Sequence, residues 1–244
     1  MSIYHIDKLV FIACDVEYAH VEQDVIDDWE RKGIKIIHTG VGKVNAAIEV
    51  TRALIKYEPD YVINIGTAGK PQPSMIKDEK LFHILFVEQR DMDTMSIMRG
   101  LKTPDGNLLF PKWPVKKTPF EDYSYIECQR TLDFSSIASC MGNVSYPWCS
   151  TGDNTNADKE CNHYHSALVE MEAYAIVKAI HRHNESRSWK VRYDIVKLVT
   201  DEANSDTISE EWDENKGKIP VEEIINIVDT TFDKAVGRSM EEGR

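Results

Sequence analysis

The sequence predicts an α/β fold, and three observations carry that prediction. Short, nearly continuous apolar runs with the pattern of buried strands occur at residues 8–13 (KLVFIA), 34–39, 61–65 and 193–199 (YDIVKLV). Helical patterns at 18–32 and 44–57 separate the first three runs, so strand and helix alternate. The 244 residues are enough for one large core. No Pro- or Gly-rich linker, repeat or low-complexity tract divides them, so residues 1–244 read as a single domain.

Composition narrows the functions. A formal charge of -12 argues against a nucleic-acid polymer or an anionic membrane surface as partner and leaves a small molecule. No apolar run approaches the length of a membrane span. The N-terminal MSIYHIDKLVFIA carries Asp7 and lacks a small-residue cleavage site, so it does not read as a signal peptide. Five scattered cysteines without a CxxC pair fit reduced thiols in a cytosolic protein and supply no metal-site spacing. Neither a metal nor a cofactor is expected.

Taken in order, the strand at 8–13 leads into Cys14-Asp15-Val16-Glu17 and the helix that ends at Gly33. Glu17 therefore stands at the carboxyl end of a central strand, where open α/β sheets place their ligands. Asp15 as helix cap and Glu17 as first-turn acid are the plainer alternatives. Gly40-Val41-Gly42-Lys43 follows the second strand, and it matches neither a dinucleotide fingerprint nor a P-loop. The third strand runs into Ile65-Gly66-Thr67-Ala68-Gly69, a turn of small residues with one hydroxyl.

A loop over 70–80 precedes a strand at 81–87, and the Pro- and Gly-broken stretch 94–121 forms a long irregular segment. Strands are expected at 125–128 and 144–150, then a polar turn at 151–156 and a short helix from 157 to 164. Val169-Glu170-Met171-Glu172-Ala173 comes next, ahead of a helical run over 173–184. If that segment is extended, its two glutamates share a face; if it starts the helix, they are first-turn acids. The last strand contains Lys197, a charge inside an apolar run that needs an acid nearby, and Glu17 and Glu172 are spare. Residues 204–217 are polar and acidic around Trp212, and an amphipathic helix over 220–236 closes the pattern.

Glu17, Thr67, Glu172, Lys197 and Asp201 thus all fall at or beside strand ends. Paired carboxylates around one crevice suit glycosidic cleavage, with one acid for the leaving group and one carboxylate for water.

The segments GVGKVNAA, NIGTAG, STGDNTN, VEMEA and VTDEA, in this order, resemble the purine nucleoside phosphorylase/uridine phosphorylase superfamily. The branch they resemble most is the 5'-methylthioadenosine/S-adenosylhomocysteine nucleosidases. The resemblance implies a three-layer α/β sandwich, with a twisted mixed central sheet flanked by helices, assembled as a homodimer. It implies that Glu17 activates water, that Glu172 holds the ribose hydroxyls with Met171 packed against the ribose, and that Asp201 protonates or hydrogen-bonds purine N7. It further places Thr67, with Ala68 and Gly69, near the ribose and the attacking water, and the Asn156 backbone at the purine edge. Lys197 stands where the nucleosidases carry arginine, Thr155 where they carry a base-stacking phenylalanine, and Cys14 where they carry a methionine near the 5'-group. Trp212 is an aromatic lid candidate, and Met95 or Met98 is a candidate for a partner's 5'-pocket.

Phosphorylases of the superfamily bring arginines to phosphate from the turn after the first strand and from the position of Asn64. Cys14 to His20 contains no arginine, so hydrolysis is expected over phosphorolysis. A non-catalytic nucleoside-binding role is the remaining alternative.

Overall fold

The computed structural model describes residues 6–71, 81–91, 102–107, 125–137, 147–153, 168–203 and 208–241. At the centre, β1 (Lys8–Ile12) pairs in parallel with β2 (Ile34–His38) on one edge and with β3 (Tyr61–Gly69) on the other. The far edge of β3 pairs along its whole length with β9 (Arg192–Asp201), also parallel, and β9 takes β4 (Leu81–His83) antiparallel. Past the end of β1, the near edge of β3 regains a partner only at Gly69, opposite Val169 of β8 (Leu168–Glu170). The sheet continues through β7 (Trp148–Thr151), β5 (Phe86–Gln89) and β6 (Tyr125–Glu127). Among the described residues no strand covers that edge of β3 from Ile65 to Ala68. The sheet opens at this point, and its unpaired backbone is what the site uses.

Strand alternation builds the layers. Leu9, Phe11 and Val62 pack with Val50 and Leu54 of α2 (Lys43–Tyr57) and with Ile176 and Ile180 of α3 (Ala173–Glu185). Val10, Ile12, Ile63 and Ile65 pack with Trp29 of α1 (Gln23–Arg31) and with Ile224 and Val228 of α5 (Val221–Glu241). The result is a mixed sheet, nine-stranded among the described residues, between two helical layers, the expected three-layer sandwich. A buried polar staple ties β3, β4 and β9 together. Asp194 accepts from the Tyr61 hydroxyl at 2.7 Å and from the Thr131 N–H at 2.8 Å, and lies 2.7 Å from His83 Nε2.

Several boundaries differ from the sequence expectation. The helix expected over 18–32 is present as α1 but starts five residues later, at Gln23, after a 3-10 turn at Asp15–Glu17. The third strand runs four residues further, to Gly69, because β9 supports it all along. The strand expected at 81–87 is two strands, β4 and β5, which pair with opposite ends of the sheet. Within the acidic stretch at 204–217 lies a short helix, α4 (Ile208–Asn215). The helix expected at 157–164 lies outside the described residues.

Candidate active site

The 3-10 turn after β1 aims Glu17 at the uncovered edge of β3. Its Oε1 accepts from the Thr67 N–H at 2.9 Å and from the Thr67 hydroxyl at 3.2 Å, in place of a strand partner. Its Oε2 accepts from the Ala13 and Cys14 N–H groups at 3.2 and 3.3 Å, so a residue only 2% exposed has both oxygens satisfied. Trp212 of α4 donates from Nε1 to Thr67 Oγ1 at 3.1 Å. An indole N–H can only donate, so the Thr67 hydrogen is directed to Glu17. Burial, and then the Glu17 carboxylate, push the neighbouring Cys14 thiol up to about 12, which makes it a packing group rather than a nucleophile.

The two glutamates of the VEMEA segment separate at the junction of β8 and α3. Neither a shared strand face nor an ordinary first-turn pair describes them. Glu170 ends β8 and turns inward, where Oε2 accepts from the Glu172 and Ala173 N–H groups, each at 2.8 Å, and lies 3.0 Å from Lys197 Nζ. Burial opposes its charge, but Lys197 and these donors hold its carboxyl below the usual glutamate range. Glu172, at the N-cap of α3, accepts from the Gly42 N–H at 2.8 Å, at the start of α2. Gly42 adopts φ 91, a conformation that favours glycine and aims that N–H at the carboxylate. Burial first, and Glu170 second, push the Glu172 carboxyl up to about 7. One buried acid is thus held below the ordinary glutamate range by Lys197 and its neighbour is raised above it.

Asp201 ends β9. Its Oδ1 accepts from the Ala203 N–H at 2.8 Å and its Oδ2 from the Thr200 hydroxyl at 2.9 Å. Burial raises its carboxyl above the usual aspartate range despite these bonds, with Glu211 adding to the rise. Gly69 makes room for it, since a Cβ there would lie 2.4 Å from Asp201 Oδ1.

One cavity of about 310 Å³ joins these groups, within the range of small-molecule sites. Glu17, Thr67, Ala68, Gly69, Met171, Glu172, Asp201 and Trp212 all line it. Lys197 does not. It is 1% exposed and buried behind the wall, and its direct partner is Glu170 rather than Glu17 or Glu172. Asn156, Thr155, Met95 and Met98 lie outside the described residues. Sequence reasoning passed over Glu170 and Arg90, both of which line the cavity. Arg90 donates from Nη1 to the Ser150 and Glu170 carbonyls at 2.8 and 2.9 Å, and from Nη2 to the Gly152 carbonyl at 3.3 Å. Gly152 has to be small, because a Cβ there would lie 2.7 Å from the guanidinium carbon. The one sequence signal for Arg90 is a lone arginine directly after a buried strand.

Comparison with known proteins gives a consistent picture. Residues 20–78 match the family model described as the phosphorylase superfamily. The 5'-methylthioadenosine/S-adenosylhomocysteine nucleosidase of Shewanella loihica is 27% identical over 186 residues, 73% of this chain and 72% of that enzyme. The enzyme of the same name from Marinomonas sp. is 41% identical over 61 residues, 22% of this chain and about a quarter (26%) of its own length. Among solved structures, a Helicobacter pylori nucleosidase mutant with 5'-methylthioadenosine in its active site superposes with a TM-score of 0.68 at 15% identity. It covers 92% of this chain and 98% of that one.

Proposed function

We propose that this chain, a member of the phosphorylase superfamily, is a purine nucleosidase that hydrolyses the N-glycosidic bond of a 5'-thioalkyl adenosine. The carrying observation is the charge of the cavity. Glu17, Glu172 and Asp201 line it beside Glu170, which is paired with Lys197, and Arg90 is the one cation among the described lining residues. That guanidinium is turned onto three backbone carbonyls. Asn64, in the second arginine position, is 2% exposed and donates to the Phe11 carbonyl at 3.0 Å. A phosphate dianion would meet carboxylates without the charge-assisted donors it needs, whereas water meets no such penalty.

In this reading Glu17 takes a proton from water as its oxygen attacks C1', with the Thr67 hydroxyl beside them. Glu172 accepts hydrogen bonds from the ribose hydroxyls while Met171 packs on the sugar. Asp201 gives its proton to purine N7, so the electron pair of the breaking C1'–N9 bond leaves with a neutral base. Ala68 and Gly69 bound the ribose side. Val41, Val169 and Trp212 offer apolar surface for a 5'-thioalkyl group. The named relatives support that substrate class. Base release from methylthioadenosine, S-adenosylhomocysteine, adenosine, inosine and guanosine, with and without phosphate, tests the reading. The expected result is phosphate-independent release of free base and free ribose derivative, fastest with a thioalkyl adenosine. Strict phosphate dependence with ribose-1-phosphate formed would make it a phosphorylase.

The same reading includes a homodimer in the cytosol. Val44, Ile48 and Ile55 of α2 are 67%, 52% and 63% exposed and, with Ala47 and Thr51, line a groove of about 820 Å³ against α3. An apolar stripe of this kind fits burial by a second copy. Val41, 51% exposed, extends it to the mouth of the nucleoside cavity. Sedimentation equilibrium is expected to give a dimer for the wild type and a monomer for Ile48→Asp. A wild type monomeric at micromolar concentration would refute the interface. Cys14, Cys128 and Cys149 are unpaired thiols, which fits a reducing compartment.

A further inference from the structure

We propose that the buried Lys197–Glu170 pair is a positioning element for Glu172, fixing its backbone from behind and balancing the charge of its carboxylate. The inference rests on the reading of Glu172 as the ribose-holding acid. Of the N–H groups that open α3, those of Glu172, Ala173 and Tyr174 meet acceptors in the pair's surroundings. Glu170 Oε2 takes those of Glu172 and Ala173, and Thr151 Oγ1 takes that of Tyr174 at 2.9 Å while donating to Glu170 Oε1. Glu170 thus caps the helix from two residues before its N-cap, and Thr151 reaches the same helix start through the sheet. Its side chain is 1% exposed, as is that of Lys197, so neither charge can be left alone without a large desolvation cost.

The ammonium is also placed to act on more than Glu170. A Cβ on Gly66 would lie 3.1 Å from Lys197 Nζ and 3.4 Å from Glu17 Oε1, so the absence of a side chain there lets the lysine pass beneath β3 toward the site. Among the described residues, the charged and titratable groups facing Glu172 are then Glu170 from β8, Lys197 from β9, and Glu17 and Cys14 from the turn after β1. The Gly42 N–H faces it from α2. Arg90 donates to the Glu170 carbonyl. Burial and Glu170 work against the Glu172 carboxylate, and Lys197 works for it. Burial works against the Lys197 ammonium too, but Glu170, then Glu172 and the others, hold it above the ordinary lysine range.

Opposite signs make the test. Glu172 titration is followed by ¹³C NMR of protein with δ-¹³C-labelled glutamate, its signal assigned by its loss in Glu172→Gln. Base release is measured across pH in parallel. The carboxylate form accepts the ribose hydroxyls, so activity rises with pH through the Glu172 titration. Lys197→Met is expected to move that titration, and the acid limb of kcat/KM with it, up by about one pH unit or more. This gives roughly tenfold lower kcat/KM at pH 6. Glu170→Gln is expected to move both down, and Lys197→Arg, which keeps the charge, to return them to the wild-type position. Shifts of one sign in both Lys197→Met and Glu170→Gln, or none in either, overturn the proposal.

Should those two variants fail to fold, ¹⁵N-labelled Lys197 Nζ in the wild type decides. Its signal is expected to move as Glu172 titrates and to stay fixed in Glu172→Gln. A signal indifferent to Glu172 overturns the coupling. The NMR titrations read out without turnover, so failure of the hydrolase reading would show as absent base release and be distinguishable.

Discussion

Asp201→Asn lowers kcat/KM for base release by ~10²–10⁴-fold at neutral pH while leaving the fold intact, the scale expected for loss of a general acid. Asparagine keeps the shape and can still accept from the Ala203 N–H at the position of Oδ1, where the bond is now 2.8 Å. Its amide cannot take the Thr200 hydroxyl hydrogen at the second position, but that hydroxyl has the Ala68 carbonyl 3.5 Å away as an alternative acceptor. What is lost is the transferable proton. In the wild type, burial raises the Asp201 carboxyl, so the acid form persists to higher pH than on an exposed aspartate. Since that form is the active one, the rate falls as pH rises through the raised value, and the variant lacks this alkaline limb. A substrate whose leaving group needs no protonation, such as a p-nitrophenyl riboside, is expected to lose much less than a purine nucleoside. Equal losses on both, or a loss under tenfold on the purine nucleoside, would remove Asp201 as the proton donor.

How far the sequence reveals this site depends on whether a signal is local. The strands at 8–13 and 61–65 are legible because burial on both faces of a central sheet leaves continuous apolar runs, and the half-buried edge strand at 34–39 is legible from its isoleucines. Glu17, Thr67, Glu172 and Asp201 are findable because strand ends are where a sheet of this kind opens. Four further features were not legible, each for a definite reason. β3 extends to Gly69 because β9, far along the chain, pairs with it from Tyr61 to Gly69, and no local pattern in GTAG shows that. Glu170 and Glu172 read alike in sequence, yet the one-residue turn at Met171 sends one carboxylate to Lys197 and the other to Gly42. The direct partner of Lys197 is Glu170, with Glu172 and Glu17 acting from further off, because three acids lie within reach and only the fold ranks them. Arg90 holds three carbonyls that come together only when β7 and β8 pair.

Glu17→Gln is the stricter test of the chemistry, because the change is conservative in shape and severe in hydrogen bonding. Every group that meets the two Glu17 oxygens is a donor: the Thr67 N–H and hydroxyl at Oε1, and the Ala13 and Cys14 N–H groups at Oε2. An amide nitrogen must therefore face donors in either orientation, leaving unsatisfied groups that cost ~1–3 kcal/mol. Some loss of stability is expected for that reason alone and is read by thermal unfolding. The catalytic loss is separate and larger, ~10²–10⁴-fold in kcat, since no other carboxylate among the described residues faces Thr67. Nucleoside binding, measured by calorimetry, is expected to change by under about tenfold, because Glu172 and Asp201 keep their partners. Glu17→Ala separates the two effects further. It opens space beside Thr67, and azide, an anion that needs no deprotonation, is expected to restore base release in part by forming the ribosyl azide. Azide gives no such gain in the wild type, where the Glu17 carboxylate repels it. Full turnover by Glu17→Gln would mean that water is activated elsewhere, and tight binding without turnover in the wild type itself would make the cavity a nucleoside receptor.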